Sequence, residues 1–599
     1  MMGGYLEDRF IQGTDSQYPY VFYHWNQIDI FVYFSHHMFT IPPVAWTNAA
    51  HKHGVCVLGT FITEWEKGAK TCESFLAGEE ATYKALADKM VLLAEYYKFD
   101  GWLINIENVL SAVAVSNVPH FLRYLKEKLH QRIPGGRVIW YDSVLNNGEL
   151  KWQNELNEKN RIFFDACDGI FTNYNWQEDH LQNMAEEPRR TDVYVGVDIF
   201  ARSEVIGGKF DTVKSLQMLR QYGLSAALFA PGWVYECLEK DQFLLNQHKF
   251  WSLLDNQLLT HSLCSLPICS SFCLGFGKKR FSYGQGEDSE PWFNLSTQEI
   301  QPIFTEVPAI DEKNGWVRSQ ICQKDAWQGG SSLLIEGALP PDNSGLTVRL
   351  FSLHTPAPPK LVLALVYKME ESSNVAVSLE LSTQDALSCN VDSVTGLTGQ
   401  SLVHTLQPLA EPPSELTNLQ KNFKNGWEQR YYEVHLSDCF LKCLSLKFTQ
   451  PMPNQEVENF SCRLGEIRVL DVSHPPLLSV QPSDLSLSHI CWHRDPKTDQ
   501  LFVSLTLRWS HPMEDIRHFR VFCRGVTCRL SPLFRPHLLG LAHGRIYRVV
   551  DLAVPNPCTT SQGRLEFAVQ PVEKDGSEPF PPLWGQLVLE YMEQTHTEV

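Results

Sequence analysis

The sequence predicts a multidomain fold of class α/β plus all-β, in which a (β/α)8-type TIM barrel lacking its first strand precedes two β-sandwich domains. The 599 residues are too many for one ordinary domain. Strand-like apolar runs alternate with amphipathic helical patterns up to about residue 255, whereas short runs of alternating polarity dominate after residue 290. These changes place the barrel at residues 1–285, a first sandwich at 286–474 and a second β domain at 475–599.

Seven apolar runs in the first region have the length and composition of buried strands: 28–34, 55–62, 101–107, 137–143, 169–175, 193–201 and 225–233. Amphipathic segments such as 79–98 and 118–133 lie between them, and this spacing predicts a parallel sheet. A closed barrel is favoured because each run ends in polar or aromatic residues. Active sites of such barrels lie at the carboxyl ends of the strands.

The strand count is seven rather than the eight of a complete barrel. Residues 1–10, MMGGYLEDRF, have the character of a loop that follows a strand, although no strand precedes them. Either the barrel is irregular, or the chain is an N-terminally shortened form of a complete one. Loss of one strand would leave its two neighbours with unpaired edges, which is costly in a barrel.

The rest of the chain has the period-two pattern of antiparallel sheets and no long helical segment. A Gly/Ser-rich connection over 256–290 leads into the first sandwich. This sandwich resembles a carbohydrate-binding module, but the resemblance is one of fold alone and does not assign a ligand to it. A Pro/Ser-rich linker over 473–489 leads into a domain whose pattern is similar to fibronectin type III or immunoglobulin-like modules.

Composition limits the partners of the chain. The net charge of −18 argues against nucleic acid and anionic membranes, because both favour basic protein surfaces, and leaves room for a neutral glycan. No stretch approaches the ~20 apolar residues of a membrane span, and the N-terminus lacks the pattern of a signal peptide. The 16 cysteines lack the paired spacing of zinc sites and are expected to be reduced, so we predict a cytosolic protein.

The stretch FDGWLINIEN, residues 99–108, places polar side chains in an apolar strand. Asn105 and Glu107 are two residues apart, so in a strand they point to the same face, ~6.6 Å apart along the axis. Any ligand on that face meets an amide and a carboxylate together. An isolated pair of this kind is usually structural, and its role therefore depends on the surrounding sequence.

The frame around the pair resembles the D-G-x-D-x-D-x-E motif of chitinase-type barrels. Asp100 and Gly101 match the motif, Leu103 and Asn105 stand where aspartates would be, and Glu107 occupies the position of the general acid. An Asn-x-Glu pair in this context is similar to glycoside hydrolase family 85, the endo-β-N-acetylglucosaminidases. Seven further segments at strand ends carry the same resemblance in order: MMGGYLEDR, FVYFSHH, GTFITEW, WYDS, NYNW, GVDIFAR and APGWVYE.

The resemblance implies cleavage between the two GlcNAc residues of the N-glycan core by a substrate-assisted mechanism, in which the substrate's own acetamide oxygen attacks the anomeric carbon. Glu107 would act as general acid and then general base, which requires a raised pKa. Asn105 would bind the acetamide nitrogen, and Tyr141 would contact the acetamide and close the pocket. Neither a metal nor a cofactor is implied.

The family pattern also implies which residues bind substrate. Aromatic and polar side chains at strand ends are expected to hold the sugars: Trp152, Trp176, Trp233, Tyr235, Trp65, Asn173 and Asp198. The expected partners are N-glycans of the oligomannose type, free or on glycoproteins, and the sequence names no protein partner. The adjacent His36 and His37 are interpreted as one rim and one core residue, because neighbours on a strand face opposite ways.

Two other functions remain open on the sequence alone. A glycan-binding protein would keep the pocket without turnover; the missing first strand favours this alternative, and the intact Asn105 and Glu107 oppose it. An interaction scaffold with a vestigial barrel would bind no oligosaccharide. The β domains show no clear stripe of exposed aromatic residues that would support a scaffold.

Overall fold

The computed structural model describes residues 8, 11–202, 204–287, 291–307, 315–340, 345–370, 374–385, 401–413, 425–451, 457–473, 480–514, 516–526, 536–556, 563–573 and 583–592. The chain forms two compact units, Met1–Arg9 with Gln27–His261 and Phe10–Asn26 with Ser262–Val599. The predicted barrel boundary at residue 285 therefore falls inside the second unit. The predicted opening loop, residues 1–10, lies outside the described residues except for Asp8.

All seven predicted strands of the first unit are confirmed, and one short strand is added to them. The strands are β1 (Ile30–Val32), β2 (Phe39–Thr40), β3 (Cys56–Glu64), β4 (Gly101–Glu107), β5 (Arg137–Tyr141), β6 (Gly169–Thr172), β7 (Val193–Asp198) and β8 (Ser225–Phe229). Seven of them form a curled parallel sheet in the order β1-β3-β4-β5-β6-β7-β8, while β2 pairs antiparallel with β3.

Helices alternate with these strands as the sequence predicts. They are α1 (Val44–Lys52), α2 (Trp65–Leu76), α3 (Glu80–Tyr97), α4 (Ala112–Arg132), α5 (Arg161–Phe164), α6 (Glu178–Met184), α7 (Thr212–Gln221), α8 (Trp233–Glu236) and α9 (Phe243–Ser252), with 3-10 turns at Trp25–Gln27, Arg190–Asp192, Lys209–Asp211, Lys240–Gln242 and Leu295–Thr297. Helix α4 begins six residues before the predicted start at Val118, because the Ser111 side chain caps it by accepting from Ala114 N. None of the helices in the described parts of the chain is long and apolar enough to cross a bilayer.

The two ends of the parallel sheet differ from its middle. Strands β3 and β4 are almost entirely buried, whereas every residue of β1 and β8 is only half-buried. Each of these edge strands has a parallel neighbour on one side alone among the described residues. The curl nevertheless brings their ends together, since the rings of Phe34 and Phe229 meet edge to face with centroids 5.6 Å apart.

The second unit is built from antiparallel strands, as predicted. They are β9 (Ile268–Ser270), β10 (Phe276–Gly277), β11 (Phe281–Ser282), β12 (Gln285–Gly286), β13 (Trp292–Phe293), β14 (Glu306–Val307), β15 (Trp316–Cys322), β16 (Gln328–Gly329), β17 (Ser332–Leu339), β18 (Leu346–Pro356), β19 (Lys360–Met369), β20 (Ala376–Asp385), β21 (Ser401–Thr405), β22 (Glu428–His435), β23 (Cys439–Thr449), β24 (Glu458–Asp471), β25 (Ser483–Arg494), β26 (Leu501–Ser510), β27 (Ile516–Val526), β28 (His537–Ala542), β29 (Ile546–Val554), β30 (Gly563–Glu573) and β31 (Gly585–Tyr591).

Two sandwiches are visible in this unit. Sheets β14-β15-β17-β24-β19-β22 and β18-β23-β20-β21 share one apolar core, and sheets β25-β26-β29 and β28-β27-β30-β31 share another. The predicted linker over 473–489 is shorter than expected, because β25 already begins at Ser483; residues 474–479 of it lie outside the described residues. Strand β24 contains Gly465, where the absence of a side chain lets Trp327 and Trp427 pack against the backbone.

The start of β4 offers a test of how tightly the curled sheet is constrained. Gly101 has a φ of 151°, and a Cβ there would lie 1.9 Å from the carbonyl oxygen of Arg137 on β5. Gly135 has a φ of 80° but open space around it. We expect Gly101→Ala to lower the unfolding midpoint well beyond Gly135→Ala, which adds only the ~1–2 kcal/mol of a left-handed residue. Equal shifts in thermal melts would contradict a close β4–β5 approach.

Candidate active site

Two adjacent parallel strands carry the carboxylates at the centre of the site. Glu64 and Glu107 are the last residues of β3 and β4, and the two are register partners. Their side chains therefore leave the sheet at the same height from backbones ~4.8 Å apart. Asn105 lies two residues before Glu107 and points to the same face, as the sequence predicts.

Asn105 is buried with an unsatisfied acceptor. Its side chain is only 4% exposed, and its Oδ1 atom accepts no hydrogen bond from any described residue. The other end of the amide hydrogen-bonds the carboxyl group of Glu107. Since buried polar atoms are nearly always paired in native proteins, the free amide oxygen indicates a place where a ligand N–H is received.

The environment of Glu107 favours its protonated form. Burial is the largest cause of its raised pKa, and the negative charge of Glu64 is the second. The hydrogen bond from Asn105 and the nearby His36 act in the opposite direction but do not cancel the rise. The carboxyl group therefore keeps its proton to a higher pH than an ordinary glutamate, which a general acid requires.

His36 is the partner of Glu64. The Nδ1 atom of His36 lies 3.0 Å from Glu64 Oε2. The prediction that one of the two neighbouring histidines is a core residue is wrong, because His36 and His37 are both exposed. Strand β1 ends at Val32, so the strand alternation on which that prediction rested does not extend to them.

Tyr141 lies at the end of β5 on the inner face of the sheet. Leu103 pairs with Ile139 in the β4–β5 register, so two residues further along Tyr141 comes beside Asn105. Its hydroxyl donates to Asn173 Oδ1 at 3.0 Å. Tyr174, which the sequence analysis did not single out, has its ring 6.5 Å from that of Tyr141. Burial is the main cause that raises the pKa of both phenols, and the charge of Glu107 adds to it.

Asp142 anchors the loop that follows β5. It is fully buried and accepts from Gln153 N at 3.0 Å, Asn154 N at 2.8 Å and Asn160 Nδ2 at 3.1 Å. Burial raises the pKa of Asp142 to about 6, although these hydrogen bonds oppose the rise. The loop in turn presents Asn154 Oδ1, which accepts from Asn173 Nδ2 at 2.8 Å.

A chain of hydrogen bonds therefore runs from Asp142 through Asn154 and Asn173 to the hydroxyl of Tyr141. Asn154 has a φ of 61°, a conformation that asparagine tolerates better than most residues. Sequence reasoning missed this residue, because nothing in its local pattern shows that its side chain meets Asn173. The network fixes the phenol of Tyr141 at the mouth of the sheet.

The predicted sugar-binding aromatic residues divide into two groups. Trp65 and Trp152 are 82% and 42% exposed. Trp176, Trp233 and Tyr235 are buried; Trp176 is only 2% exposed and its Nε1 donates to the carbonyl of Gly196 at 2.7 Å. The faces of these three rings are covered by protein in this structure, and only the first group offers a surface on which a sugar ring can stack.

Trp65 is unusual in its backbone as well as in its exposure. It directly follows Glu64 and has a φ of 57°, in the left-handed region that bulky side chains rarely adopt. The conformation turns the chain from β3 into helix α2, which begins at Trp65. Strained residues of this kind cluster at functional sites, so Trp65 is a candidate for direct contact with a ligand.

Asp198 is occupied by contacts within its own loop. Its two oxygens accept from Arg202 Nη2 at 2.9 Å, Arg202 Nε at 3.2 Å and the backbone N–H groups of Phe200 and Arg202. The guanidinium of Arg202 also lies over the ring of Phe229. These contacts give Asp198 a structural role at the end of β7 beside any contact with a sugar hydroxyl. No group of His, Cys, Asp and Glu side chains in the described parts of the chain is arranged to hold a metal ion.

Two family profiles match the chain. The profile of Glycosyl hydrolase family 85 matches residues 5–280, and that of the ENGASE1-like, C-terminal immunoglobulin-like domain matches residues 475–592. The first match contains every residue described above at the strand ends. The second coincides with the β domain predicted at 475–599.

Relatives extend over nearly the whole chain. Cytosolic endo-beta-N-acetylglucosaminidase of Mus musculus is 53% identical over 98% of this chain and 83% of its own length, and that of Homo sapiens is 52% identical over 99% and 82%. Cytosolic endo-beta-N-acetylglucosaminidase 2 of Arabidopsis thaliana is 33% identical over 96% and 86%. In fold, the chain is similar to the Endo-D glycoside hydrolase domain of Streptococcus pneumoniae R6, with a TM-score of 0.66 and 18% identity over 97% of this chain and 88% of that one.

The buried Asp142 generates a prediction about pH and stability. Its pKa is about 6 in the folded protein against an ordinary value of 3.8, so the folded state binds more protons between these values and loses stability as pH rises through them. Asp142→Asn cannot titrate. We therefore expect Asp142→Asn to be less stable than wild type by a larger margin at pH 4 than at pH 7. The two margins should differ by ~1–3 kcal/mol in the free energy of unfolding. A deficit that is the same at both pH values in thermal melts would contradict this linkage.

Proposed function

This chain belongs to glycosyl hydrolase family 85 and, within it, to the cytosolic endo-β-N-acetylglucosaminidases, and we propose that it cleaves the β-1,4 bond of the N,N′-diacetylchitobiose core of N-glycans. The proposal extends to glycans of the oligomannose type, free or attached to protein, and to a role in deglycosylation and free-glycan turnover in the cytosol. The observation that carries it is the buried pair of Asn105 and Glu107, with an unsatisfied amide oxygen beside a carboxyl group of raised pKa.

In the first step the substrate supplies its own nucleophile. The acetamide oxygen of the −1 GlcNAc attacks its anomeric carbon, the glycosidic C–O bond breaks, and Glu107 gives its proton to the departing oxygen. The products are the departing sugar with a free hydroxyl, an oxazolinium-type intermediate that keeps the acetamide N–H proton, and an ionised Glu107. Asn105 Oδ1 is suited to accept from the acetamide N–H, which becomes more acidic as positive charge develops on the amide.

In the second step water opens the intermediate. Ionised Glu107 removes a proton from the water, whose oxygen adds to the anomeric carbon and restores the acetamide. Attack occurs twice at the same carbon, so the β configuration is retained. Glu107 ends the cycle protonated, and the same carboxyl group serves both steps.

The proposed role of Tyr141 is to hold the acetamide during these steps. Its position beside Asn105 places the phenol at the inner face of the sheet, and the hydrogen bond to Asn173 fixes the orientation of its ring. A raised pKa keeps the hydroxyl protonated, so the hydrogen bond to Asn173 that holds the phenol is kept throughout the reaction. Trp65 and Trp152 are the proposed stacking surfaces for the sugars outside the reacting centre, with Asn173 and Asp198 as nearby polar groups.

A second candidate function is a glycan-binding protein with impaired turnover. The half-buried edges of β1 and β8 favour it, because an incompletely paired sheet positions catalytic groups less rigidly. Against it stands the location of the reacting residues on β4 and β5, which are both paired on two sides.

The two candidates differ in turnover. A glycoprotein with oligomannose N-glycans is incubated with wild type, with Glu107→Gln and with Asn105→Ala, and the released glycan is followed by mass spectrometry. We expect wild type to leave a single GlcNAc on the protein, Glu107→Gln to lose at least ~10³-fold in rate, and Asn105→Ala to lose ~10²-fold or more. The exposed Glu66 provides a matched control, since Glu66→Gln should retain full activity.

Measurement of glycan binding in the same samples distinguishes the two candidate functions if no glycan is released. If wild type binds the glycan but releases none while its melting curve is that of a folded protein, the hydrolase proposal is wrong and the glycan-binding function replaces it. If Glu107→Gln cleaves at the wild-type rate, the assignment of the acid is wrong.

The exposed Trp65 separates binding from folding. Removal of its ring by Trp65→Gly also relieves the strain of its backbone, so we expect the KM for glycan to rise ~10-fold while the unfolding midpoint stays the same or increases. Trp176→Ala should instead lower the midpoint by the equivalent of ~3–5 kcal/mol, because that ring is buried. An unchanged KM in Trp65→Gly would remove this residue from the binding surface.

A further inference from the structure

We propose that Glu64, held by His36, is a positioning residue that keeps Glu107 protonated for the first step and returns it to that state after the second. The inference rests on the proposed function of Glu107 as the acid and base. It adds a carboxylate on a different strand and a histidine on a different loop, neither of which the Asn-x-Glu motif contains.

The geometry brings Glu64 next to Glu107. The register of β3 and β4 pairs the two residues directly, and both side chains leave the same face of the sheet. A like charge at this spacing disfavours ionisation of its neighbour, because two carboxylates so close cannot both ionise without mutual repulsion. Repulsion between the two carboxyl groups therefore favours a state in which one is ionised and the other is protonated.

His36 decides which of the two carries the charge. Its Nδ1 atom lies 3.0 Å from Glu64 Oε2. With a proton on Nδ1 the ring donates to Glu64, and the carboxylate form is the better acceptor of that hydrogen bond. Glu107 receives instead a hydrogen bond from the neutral amide of Asn105. The negative charge consequently stays on Glu64, and the proton stays on Glu107.

The other groups that face Glu107 do not supply this charge. Tyr141 on β5 is buried and Tyr174 after β6 is half-buried; the pKa of each phenol is raised, so both face Glu107 as neutral groups. The carboxylates beyond them are engaged elsewhere: Asp142 by the loop after β5, and Asp198 by Arg202. Glu64, the register partner of Glu107, is thus the carboxylate that supplies negative charge next to the acid.

Retaining glycosidases that form a covalent intermediate also carry two neighbouring carboxyl groups, which lie ~5–5.5 Å apart in those enzymes. In that arrangement Glu64 would be a nucleophile rather than a positioning residue. The hydrogen bond to His36 opposes this, because it lowers the nucleophilicity of the oxygen that it engages. An experiment on Glu64 must distinguish the two roles.

The test compares two substrates that use opposite protonation states of Glu107. Hydrolysis of the glycan requires the acid form, so the alkaline limb of its kcat/KM profile reports the pKa of Glu107 in the free enzyme. Opening of a synthetic sugar oxazoline begins at the second step and requires the base form, so its acid limb reports the same pKa. In Glu64→Gln we expect both limbs to move to lower pH by ~0.5–1 unit, with Glu66→Gln unmoved.

His36→Gln provides an independent variant with the opposite sign. Gln keeps an N–H donor for Glu64 but removes the effect by which His36 lowers the pKa of Glu107, so both limbs should move to higher pH, whereas His37→Gln should move neither. Limbs that stay in place in both Glu64→Gln and His36→Gln, or that move in the reverse directions, would overturn the proposal.

A uniform loss of ~10³-fold in Glu64→Gln that azide restores would overturn it in favour of a covalent nucleophile. The outcome for Glu107→Gln keeps the two proposals apart. If that variant is inactive and the limbs of Glu64→Gln do not move, only the positioning role fails; if it remains active, the proposed function itself fails.

Discussion

The parallel register between β3 and β4 determines the arrangement of the whole site. Because residues two apart share a face, fixing one pair of partners sets the height of every inward side chain on both strands. A shift of β4 by one residue would point Asn105 and Glu107 away from the inner face, toward the layer that packs behind the sheet. Trp102 and Ile104 would then point to the inner face. On the other side of β4, the backbone of β5 approaches Gly101 too closely for any side chain.

The hydrogen bonds after β5 extend this constraint to the neighbouring strands. Asp142 fixes a loop of irregular structure through backbone N–H groups, and that loop fixes Asn173 through Asn154. The phenol of Tyr141 is therefore positioned by residues from two loops rather than by its own strand alone. Such support restricts the motion of a side chain that must stay within hydrogen-bond reach of a reacting group.

Residues close in sequence could be predicted, and contacts between distant residues could not. The seven parallel strands, the two sandwiches and the Asn105–Glu107 pair all follow from local periodicity, which the sequence displays directly. The partners of these residues do not: Glu64 meets Glu107 through strand pairing, and Asn154 meets Asn173 across two loops. Burial likewise depends on the fold, and Trp176 and Trp65 look alike in sequence although one is covered and the other exposed.

Among the described residues, β1 and β8 are the edges of the parallel sheet, and one residue connects them to the strands that carry the acid. His36 follows the edge strand β1 by four residues, and the ring of Phe34 between them meets both His36 and Phe229 of β8. The position of His36 thus depends on how the two edge strands are held together, while its hydrogen bond acts on Glu64. A displacement of β1 would therefore change the electric field around Glu107 through His36 and Glu64, even if β4 itself did not move. The electrostatics of the acid therefore depend on how β1 and β8 are held together.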